Sequence, residues 1–135
     1  MDEGAPIKVY MVKKLIGVSP EDSVQDASKI MVEFDIGSLV VFEEDRVVGF
    51  FTKSDVIRRV IVPGLPYETP VREIMTKELV TVNVNDPLKD VLKKMAEHRI
   101  KHILVEDGGK IVGVFSLSDL LDATRRKLET AIARE

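Results

Sequence analysis

Apolar positions along the chain predict five secondary-structure elements and then the same five again. In the second half, Leu79–Val82 is a short apolar strand, and Asp86 and Pro87 are a typical helix start. A stripe with helical spacing follows, at Leu88, Val91, Leu92 and Met95. Two β-branched runs, 103–105 and 111–115, flank Asp107-Gly108-Gly109-Lys110, which predicts a hairpin. A last helix places Leu120, Leu121, Thr124 and Leu128 on one face.

The first half follows the same order of strand, helix, strand, strand and helix. Its first helix stripe is Val24, Ala27, Met31 and Phe34. Its hairpin strands are 39–42 and 47–51, and its closing helix is expected to bury Val56, Ile57, Val60 and Ile61. Residues 63–70 contain three prolines and a glycine, so they cannot form a regular helix. We therefore predict repeats at 7–62 and 71–128 joined by a linker at 63–70, in an α+β arrangement of two small helix-covered sheets.

One motif occurs in both halves without insertion or deletion. Gly49-Phe50-Phe51-Thr52-Lys53-Ser54-Asp55 returns as Gly113-Val114-Phe115-Ser116-Leu117-Ser118-Asp119, a shift of 64 positions from Asp55 to Asp119. Self-similarity at a fixed period indicates one supersecondary unit used twice, each copy completing the core of the other. A pseudo-two-fold pair would create two equivalent crevices at the seam, and we expect the shared polar residues to lie there.

Composition narrows the class of protein. The 135 residues are 44% hydrophobic and 32% charged, which is typical of a folded globular domain. The net charge of −3 provides no broad positive field for nucleic acid or an anionic membrane. Apolar runs are too short to span a bilayer, and Met1-Asp2-Glu3-Gly4 does not resemble a signal peptide, so we expect a cytoplasmic protein. With no cysteine, disulfides and thiolate chemistry are excluded.

The polar motif residues also allow a purely structural interpretation. The spacing of a helix-capping box is present twice, in Thr52 with Asp55 and in Ser116 with Asp119. If capping were their only role, substitution of a cap residue by alanine would lower the stability by only ~1 kcal/mol. A metal site from His98 and His102 is not expected, because one falls at a helix end and the other begins a strand. A hydrolase built from Ser116, His102 and Asp119 lacks a separate nucleophile elbow, so we expect no enzyme activity.

Together, the motif, the element order and the tandem duplication resemble a pair of CBS (cystathionine-β-synthase) domains, also called a Bateman module. The resemblance covers roughly residues 7–128 and implies two repeats packed sheet to sheet. It implies a regulatory module that binds adenosine-containing ligands such as AMP, ADP, ATP or S-adenosylmethionine in one or both crevices. It also implies a homodimer that signals through a partner protein, which the sequence does not identify. No further cofactor is expected.

The resemblance also assigns residues to the ligand. Asp55 and Asp119 would accept hydrogen bonds from the ribose hydroxyls, because a carboxylate can take two donors from a vicinal diol. Hydroxyl contacts to ribose or phosphate would come from Thr52, Ser116 and Ser118. Contacts to the base would come from Val18, Gly37, Ser38 and Leu39 in the first repeat and from Thr81, Val82, His102 and Ile103 in the second.

The two repeats differ in charge where related proteins often contact phosphate. The second repeat has Arg99, Lys101 and His102 there, whereas the first has Asp35, Gly37 and Ser38. A negative Asp35 facing a phosphate would lower affinity, and Lys101 with His102 would raise it. We expect one good site and one weaker or empty site. The alternative is a structural or dimerisation module whose crevices are vestigial.

Overall fold

The computed structural model describes residues 2–133, so Met1, Arg134 and Glu135 lie outside the described part. The chain forms two compact units. One unit is continuous and contains residues 15–79, and the other joins residues 2–14 to residues 80–133. The chain therefore passes from one unit to the other between Lys14 and Leu15, and again between Leu79 and Val80.

The unit of residues 15–79 is a three-stranded sheet with helices. Its sheet has the order β1-β2-β3, with β1 parallel to β2 and β2 antiparallel to β3. Its elements are β1 (Gly17–Val18), α1 (Val24–Glu33), β2 (Ser38–Glu43), β3 (Arg46–Thr52), α2 (Lys53–Val56), a π-helical segment (Ile57–Ile61) and a 3-10 turn (Val71–Glu73).

The other unit repeats this plan. Its sheet has the order β4-β5-β6, with β4 parallel to β5 and β5 antiparallel to β6. Its elements are a 3-10 turn (Ile7–Val9), β4 (Thr81–Asn83), α3 (Leu88–His98), β5 (His102–Asp107), β6 (Lys110–Ser116) and α4 (Leu117–Ala133). The predicted order of elements and the α+β class are confirmed.

The hairpins show how closely the two copies agree. Each has a two-residue turn, formed by Glu44 and Asp45 in one unit and by Gly108 and Gly109 in the other. Glu44 has φ 57°, while Gly108 and Gly109 have φ 60° and 84°. Left-handed backbone at the turn matches the twist of the flanking strands, which is why Gly-Gly predicts a hairpin. Both hairpins also have a register shift at the same point of the repeat.

Each unit has its own hydrophobic core beneath its sheet. The predicted stripe of α3 is buried at Leu88, Val91 and Met95, and the stripe of α1 is buried at Val24, Ala27 and Met31. The prediction that Phe34 is the last member of the α1 stripe is wrong, because Phe34 lies at the helix C-cap and is 53% exposed. The sheets contribute the remaining bulk, with Phe51 and Phe115 fully buried.

The apolar faces predicted for the closing helices are also only partly buried. In the first repeat Val60 is buried, but Ile57 and Ile61 are 56% and 51% exposed. The physical reason is that α2 lasts four residues and then widens into the π-helical segment, which changes which side chains face the sheet. In the second repeat Leu121 and Leu128 are exposed on α4.

The expected cap at Asp86 is wrong. Asp86 Oδ2 accepts from the N–H of Asn83 at 2.9 Å. Pro87, in extended backbone conformation with ψ 147°, is the residue that precedes the first helical residue, Leu88, and no side chain caps the helix. The N–H groups of Leu88 and Lys89 donate instead to the carbonyls of Ala5 and Glu3, both at 2.9 Å. These acceptors are remote in sequence, so the local pattern could not reveal them.

The first helix of the first repeat is also capped by carbonyl groups that are remote in sequence. There the N–H groups of Val24 and Gln25 donate to the carbonyls of Thr69 and Tyr67, at 2.9 and 3.1 Å. Thr69 and Tyr67 are the positions that the 64-residue shift assigns to Ala5 and Glu3. The segment before each repeat therefore caps the first helix of the other repeat, and the two lie in the same unit, which explains why residues 2–14 belong with residues 80–133.

Candidate functional site

The repeated motif places its polar residues where the third strand of each sheet ends and the closing helix begins. In the first repeat, Thr52 is the N-cap of α2, in extended backbone conformation. The N–H of Asp55 donates to Thr52 Oγ1 at 3.3 Å, and the N–H of Thr52 donates to Asp55 Oδ2 at 2.9 Å. This reciprocal pair is a capping box, and it fixes the carboxylate of Asp55 relative to the strand end.

The second repeat has the same geometry. The N–H of Asp119 donates to Ser116 Oγ at 3.2 Å, and the N–H of Ser116 donates to Asp119 Oδ2 at 2.9 Å. The capping interpretation is thus confirmed in both copies. In each, the cap uses Oδ2 and leaves Oδ1 outside it. Asp55 is 8% exposed, and Asp119 is partly exposed.

Two arginines that the sequence reasoning missed lie beside Asp55. Arg58 Nη2 is 3.6 Å and Arg59 Nη2 is 3.5 Å from Asp55 Oδ1. They follow Asp55 by three and four positions, a spacing that brings side chains together on a helix and could have identified them. The equivalent positions in the second repeat are Asp122 and Ala123, so the two motif carboxylates have neighbours of different charge.

Four of the predicted site residues lie next to the motif in their own unit. The carbonyl of Gly37 accepts from the N–H of Lys53 at 3.0 Å, and Ser38 is the register partner of Thr52.

In the second repeat the carbonyl of Lys101 accepts from the N–H of Leu117 at 3.1 Å, and His102 is the register partner of Ser116. The side chains of Lys101 and Ser118 are exposed. Each motif therefore has the start of the second strand beside it, as the resemblance implies.

The apolar residues predicted to contact a base lie deeper. Val18 and Leu39 belong to the core of the first unit, and Val82 and Ile103 belong to the core of the second. Their side chains pack under the sheets, so their assignment to a ligand stays a prediction. Thr81 is partly buried, and its carbonyl accepts from Lys94 Nζ at 2.6 Å.

The two residues that give the predicted charge difference before the second strand have the same backbone conformation. Asp35 and Arg99 occupy equivalent positions after the first helix of each repeat, and both have left-handed backbone, with φ 52° and 54°. Both are exposed. Since the backbone is the same, the two repeats differ here in the sign of the side-chain charge and not in local conformation.

The histidines lie where the sequence analysis places them. His98 is the last residue of α3, and its Nδ1 is 2.9 Å from the carbonyl oxygen of Lys94. His102 begins β5. In the described part of the chain, no group of three or more His, Asp or Glu side chains converges to hold a metal ion. Between residues 2 and 133 no helix is long and apolar enough to cross a membrane.

Comparison with known proteins agrees with this architecture. The family model for the CBS domain matches the chain twice, at residues 7–62 and 71–126. The chain belongs to the CBS domain family. It is a tandem pair of CBS repeats, and its two three-stranded sheets with helices match solved structures of such pairs.

Three relatives illustrate the range of similarity. The crystal structure of an uncharacterized conserved protein from Pyrococcus horikoshii is 71% identical, with a TM-score of 0.90, and the match covers 93% of this chain and 96% of that one. The CBS domain-containing protein YhcV of Bacillus subtilis is 33% identical over 114 residues, covering 84% of this chain and 81% of that protein.

The third is the CBS domain pair of protein MJ0100, solved in complex with 5′-methylthioadenosine and S-adenosyl-L-methionine. It is 24% identical, with a TM-score of 0.78, and the match covers 90% of this chain and 97% of that one. At this identity the likeness shows the fold alone.

Proposed function

We propose that this protein is a regulatory module that binds adenosine-containing ligands and has no catalytic activity of its own. The observation that carries the proposal is the pair of reciprocal caps at Thr52–Asp55 and Ser116–Asp119. Each cap holds a carboxylate in one orientation while using only one of its two oxygens. A carboxylate fixed in this way can accept both hydroxyls of a ribose diol without first losing side-chain freedom.

The adenosine class is supported by the relative MJ0100, whose CBS pair was solved with two adenosine derivatives. Both of those ligands carry a ribose with two neighbouring hydroxyls. The motif acids are present in both repeats of this chain, so the same sugar chemistry is available to it.

Charge favours an anionic ligand at the first repeat. Arg58 and Arg59 lie beside Asp55 and supply positive charge to a phosphate attached to the ribose. This positive charge offsets the negative charge of Asp35, which the sequence analysis expected to lower affinity for a phosphate. In the second repeat the exposed Lys101 would play that part. We therefore propose AMP, ADP or ATP as the ligands, with Arg58 and Arg59 beside the phosphates in the first repeat and Lys101 beside them in the second.

We also propose that the protein acts as a homodimer in the cytoplasm and transmits its ligand state to another protein. The support for self-association is the apolar surface of the closing helices, where Ile57, Ile61, Leu121 and Leu128 are exposed in single protomers. Exposed apolar side chains that recur on the same element of both repeats favour a partner surface.

A structural module with vestigial sites is the second candidate. It is favoured by the caps themselves, because capping alone accounts for Thr52, Asp55, Ser116 and Asp119 as helix-start residues. A thermal-shift screen with AMP, ADP, ATP, S-adenosylmethionine, methylthioadenosine and NAD separates the two candidates. A ligand at 100 times its Kd adds roughly 2.7 kcal/mol and raises the melting temperature. An unchanged melting temperature with all six compounds would favour the structural module.

A further inference from the structure

Arg59 contacts two different parts of the first unit. Its Nη1 donates to the carbonyl of Ile74 at 2.7 Å and to Thr76 Oγ1 at 3.0 Å. Its Nη2 is 3.5 Å from Asp55 Oδ1. One guanidinium therefore bridges the motif carboxylate and residues 71–79, which we call the connecting segment because the chain enters the other unit between Leu79 and Val80.

The connecting segment is docked on the first unit by main-chain and apolar contacts. The N–H of Thr76 donates to the carbonyl of Phe50 at 2.8 Å, and the N–H of Phe50 donates back to Thr76 at 3.0 Å. Val71 and Ile74 are buried in the core. The main-chain pairing between Phe50 and Thr76 is an isolated antiparallel β-bridge and not part of a continuous strand. Arg59 adds side-chain hydrogen bonds at this point.

The hydrogen bonds of Arg59 to the connecting segment use Nη1 and leave Nη2 for Asp55 or an anion. Nη1 carries two N–H groups, and its bonds to Ile74 and Thr76 use both. Because the guanidinium is a rigid planar fork, fixing Nη1 also fixes the direction of Nη2 beside Asp55. The connecting segment thus holds Arg59 in position for the carboxylate and for an anion bound near it.

The sequence of the second repeat cannot supply this bridge, because an alanine has no side-chain donor. Its position equivalent to Arg59 is Ala123. The equivalent segment still docks, since the N–H of Val12 donates to the carbonyl of Val114 at 2.8 Å and the reverse bond is 3.0 Å. Arg59 also lies in the π-helical segment, whereas α4 is continuous α-helix. The bridge is therefore an addition to the first repeat and not a requirement of the fold.

We propose that Arg59 is a positioning residue that couples Asp55 to the connecting segment, so that occupancy of the first repeat changes how firmly this segment is held. The second repeat has no equivalent coupling. Only the ligand-dependent part of this inference rests on the proposed function, because the coupling between Asp55 and the segment exists without a ligand.

The ligand-free test is a double-mutant cycle read by amide hydrogen exchange at Thr76, whose N–H donates to Phe50. The variants are Asp55→Asn, Arg59→Ala and both together. Asparagine can still accept the N–H of Thr52, so the cap is kept. We expect Asp55→Asn to accelerate exchange at Thr76 about two- to fivefold when Arg59 is present, and to have no further effect when it is absent.

Two controls keep this result interpretable. Arg58→Ala removes the other arginine beside Asp55, and we expect it to leave exchange at Thr76 unchanged, because the bonds to Ile74 and Thr76 come from Arg59. The amide of Val114, in the other unit, should be unaffected by every variant. Equal effects of Asp55→Asn with and without Arg59 would overturn the proposed coupling.

The ligand-dependent test uses AMP at saturation, with binding measured separately by calorimetry. We expect AMP to slow exchange at Thr76 in the wild type and in Arg58→Ala, and not in Arg59→Ala at saturation. Slowing that persists in Arg59→Ala would overturn the proposal. If AMP does not bind the wild type, the proposed function fails for this nucleotide, whereas the ligand-free cycle still decides the coupling.

Discussion

At the scale of single residues, the motif acids perform a structural task that leaves chemistry available. Asp55 and Asp119 each accept one main-chain N–H through Oδ2, which ties the helix start to the strand end. Oδ1 remains outside the cap, and in the first repeat it faces two arginines. The sequence predicted the caps and the acids, since both follow from spacing. The sequence reasoning missed Arg58 and Arg59, which lie outside the duplicated motif, although their spacing of three and four positions from Asp55 could have identified them.

The ribose assignment predicts a specific loss on truncation of Asp119. We expect Asp119→Ala to weaken binding of AMP by about 1.5–3 kcal/mol, the range for a hydrogen bond to a charged group. Asp122→Ala is the matched control, because Asp122 is exposed on the same helix and is not part of the cap. Titration calorimetry measures both. Unchanged affinity in Asp119→Ala and in Asp55→Ala would remove the assignment.

A second residue-scale prediction concerns the phosphates. Lys101 is exposed immediately before β5, and its carbonyl accepts from the N–H of Leu117, the first residue of the helix that carries Asp119. We expect Lys101→Ala to weaken binding of ATP more than binding of adenosine, because only ATP presents phosphate charge to the ammonium group. Equal losses for the two ligands would show that Lys101 does not contact the phosphates.

At the scale of elements, each motif glycine is covered by a methionine from the segment that docks on its sheet. A Cβ added to Gly49 would lie 2.3 Å from Met75 Sδ, and a Cβ added to Gly113 would lie 2.6 Å from Met11 Sδ. Both distances are steric clashes. Met11 and Met75 are equivalent in the repeat. The glycines therefore allow close docking of these segments, a role that the motif alone does not show.

The neighbours of the two glycines predict unequal costs. Gly113→Ala would also place its Cβ 2.9 Å from the carbonyl oxygen of Val12, which is main chain and cannot move aside as a methionine can. We expect Gly113→Ala to lower the free energy of unfolding by about 1–3 kcal/mol, and Gly49→Ala to cost less.

Urea denaturation measures both glycine variants. Adding Met75→Ala to Gly49→Ala is the control, because it removes the atom that the new methyl group would strike. A larger cost for Gly49→Ala than for Gly113→Ala would contradict this account.

The order of elements, the hairpins and the apolar stripes of α1 and α3 were predictable because each depends on neighbours in sequence. The start of α3 was not, because the N–H groups of Leu88 and Lys89 find their acceptors in Ala5 and Glu3. Burial on the closing helix of the first repeat was not predictable either, since the π-helical segment alters the helical period on which the stripe of Ile57 and Ile61 was based. Local pattern determines elements, whereas remote segments determine their ends.

At the scale of the whole molecule, the first residues of each repeat belong to the unit that is formed mainly by the other repeat. Ile7 is fully buried in the core of the unit that contains residues 80–133, and Val71, its equivalent, is fully buried in the other core. Neither unit is therefore formed by one repeat alone. A boundary drawn between the repeats at the linker would separate each core from one of its buried residues.

This arrangement predicts that the first residues are required for folding of the second repeat. We expect Ile7→Ala to lower the free energy of unfolding by about 2–5 kcal/mol, because it removes a fully buried side chain. The exposed neighbour Val9 provides the control, since Val9→Ala should change stability by less than about 0.5 kcal/mol. Chemical denaturation measures both variants. Equal stability of the two would contradict the docking of this segment.

The most direct test of the central claim compares AMP with its 2′,3′-dideoxy analogue by titration calorimetry. The claim is that Asp55 and Asp119 accept the ribose hydroxyls, so we expect the wild type to prefer AMP by at least about tenfold. The doubly substituted Asp55→Ala, Asp119→Ala protein should bind the two ligands equally. Equal affinity of the wild-type protein for both ligands would contradict the account.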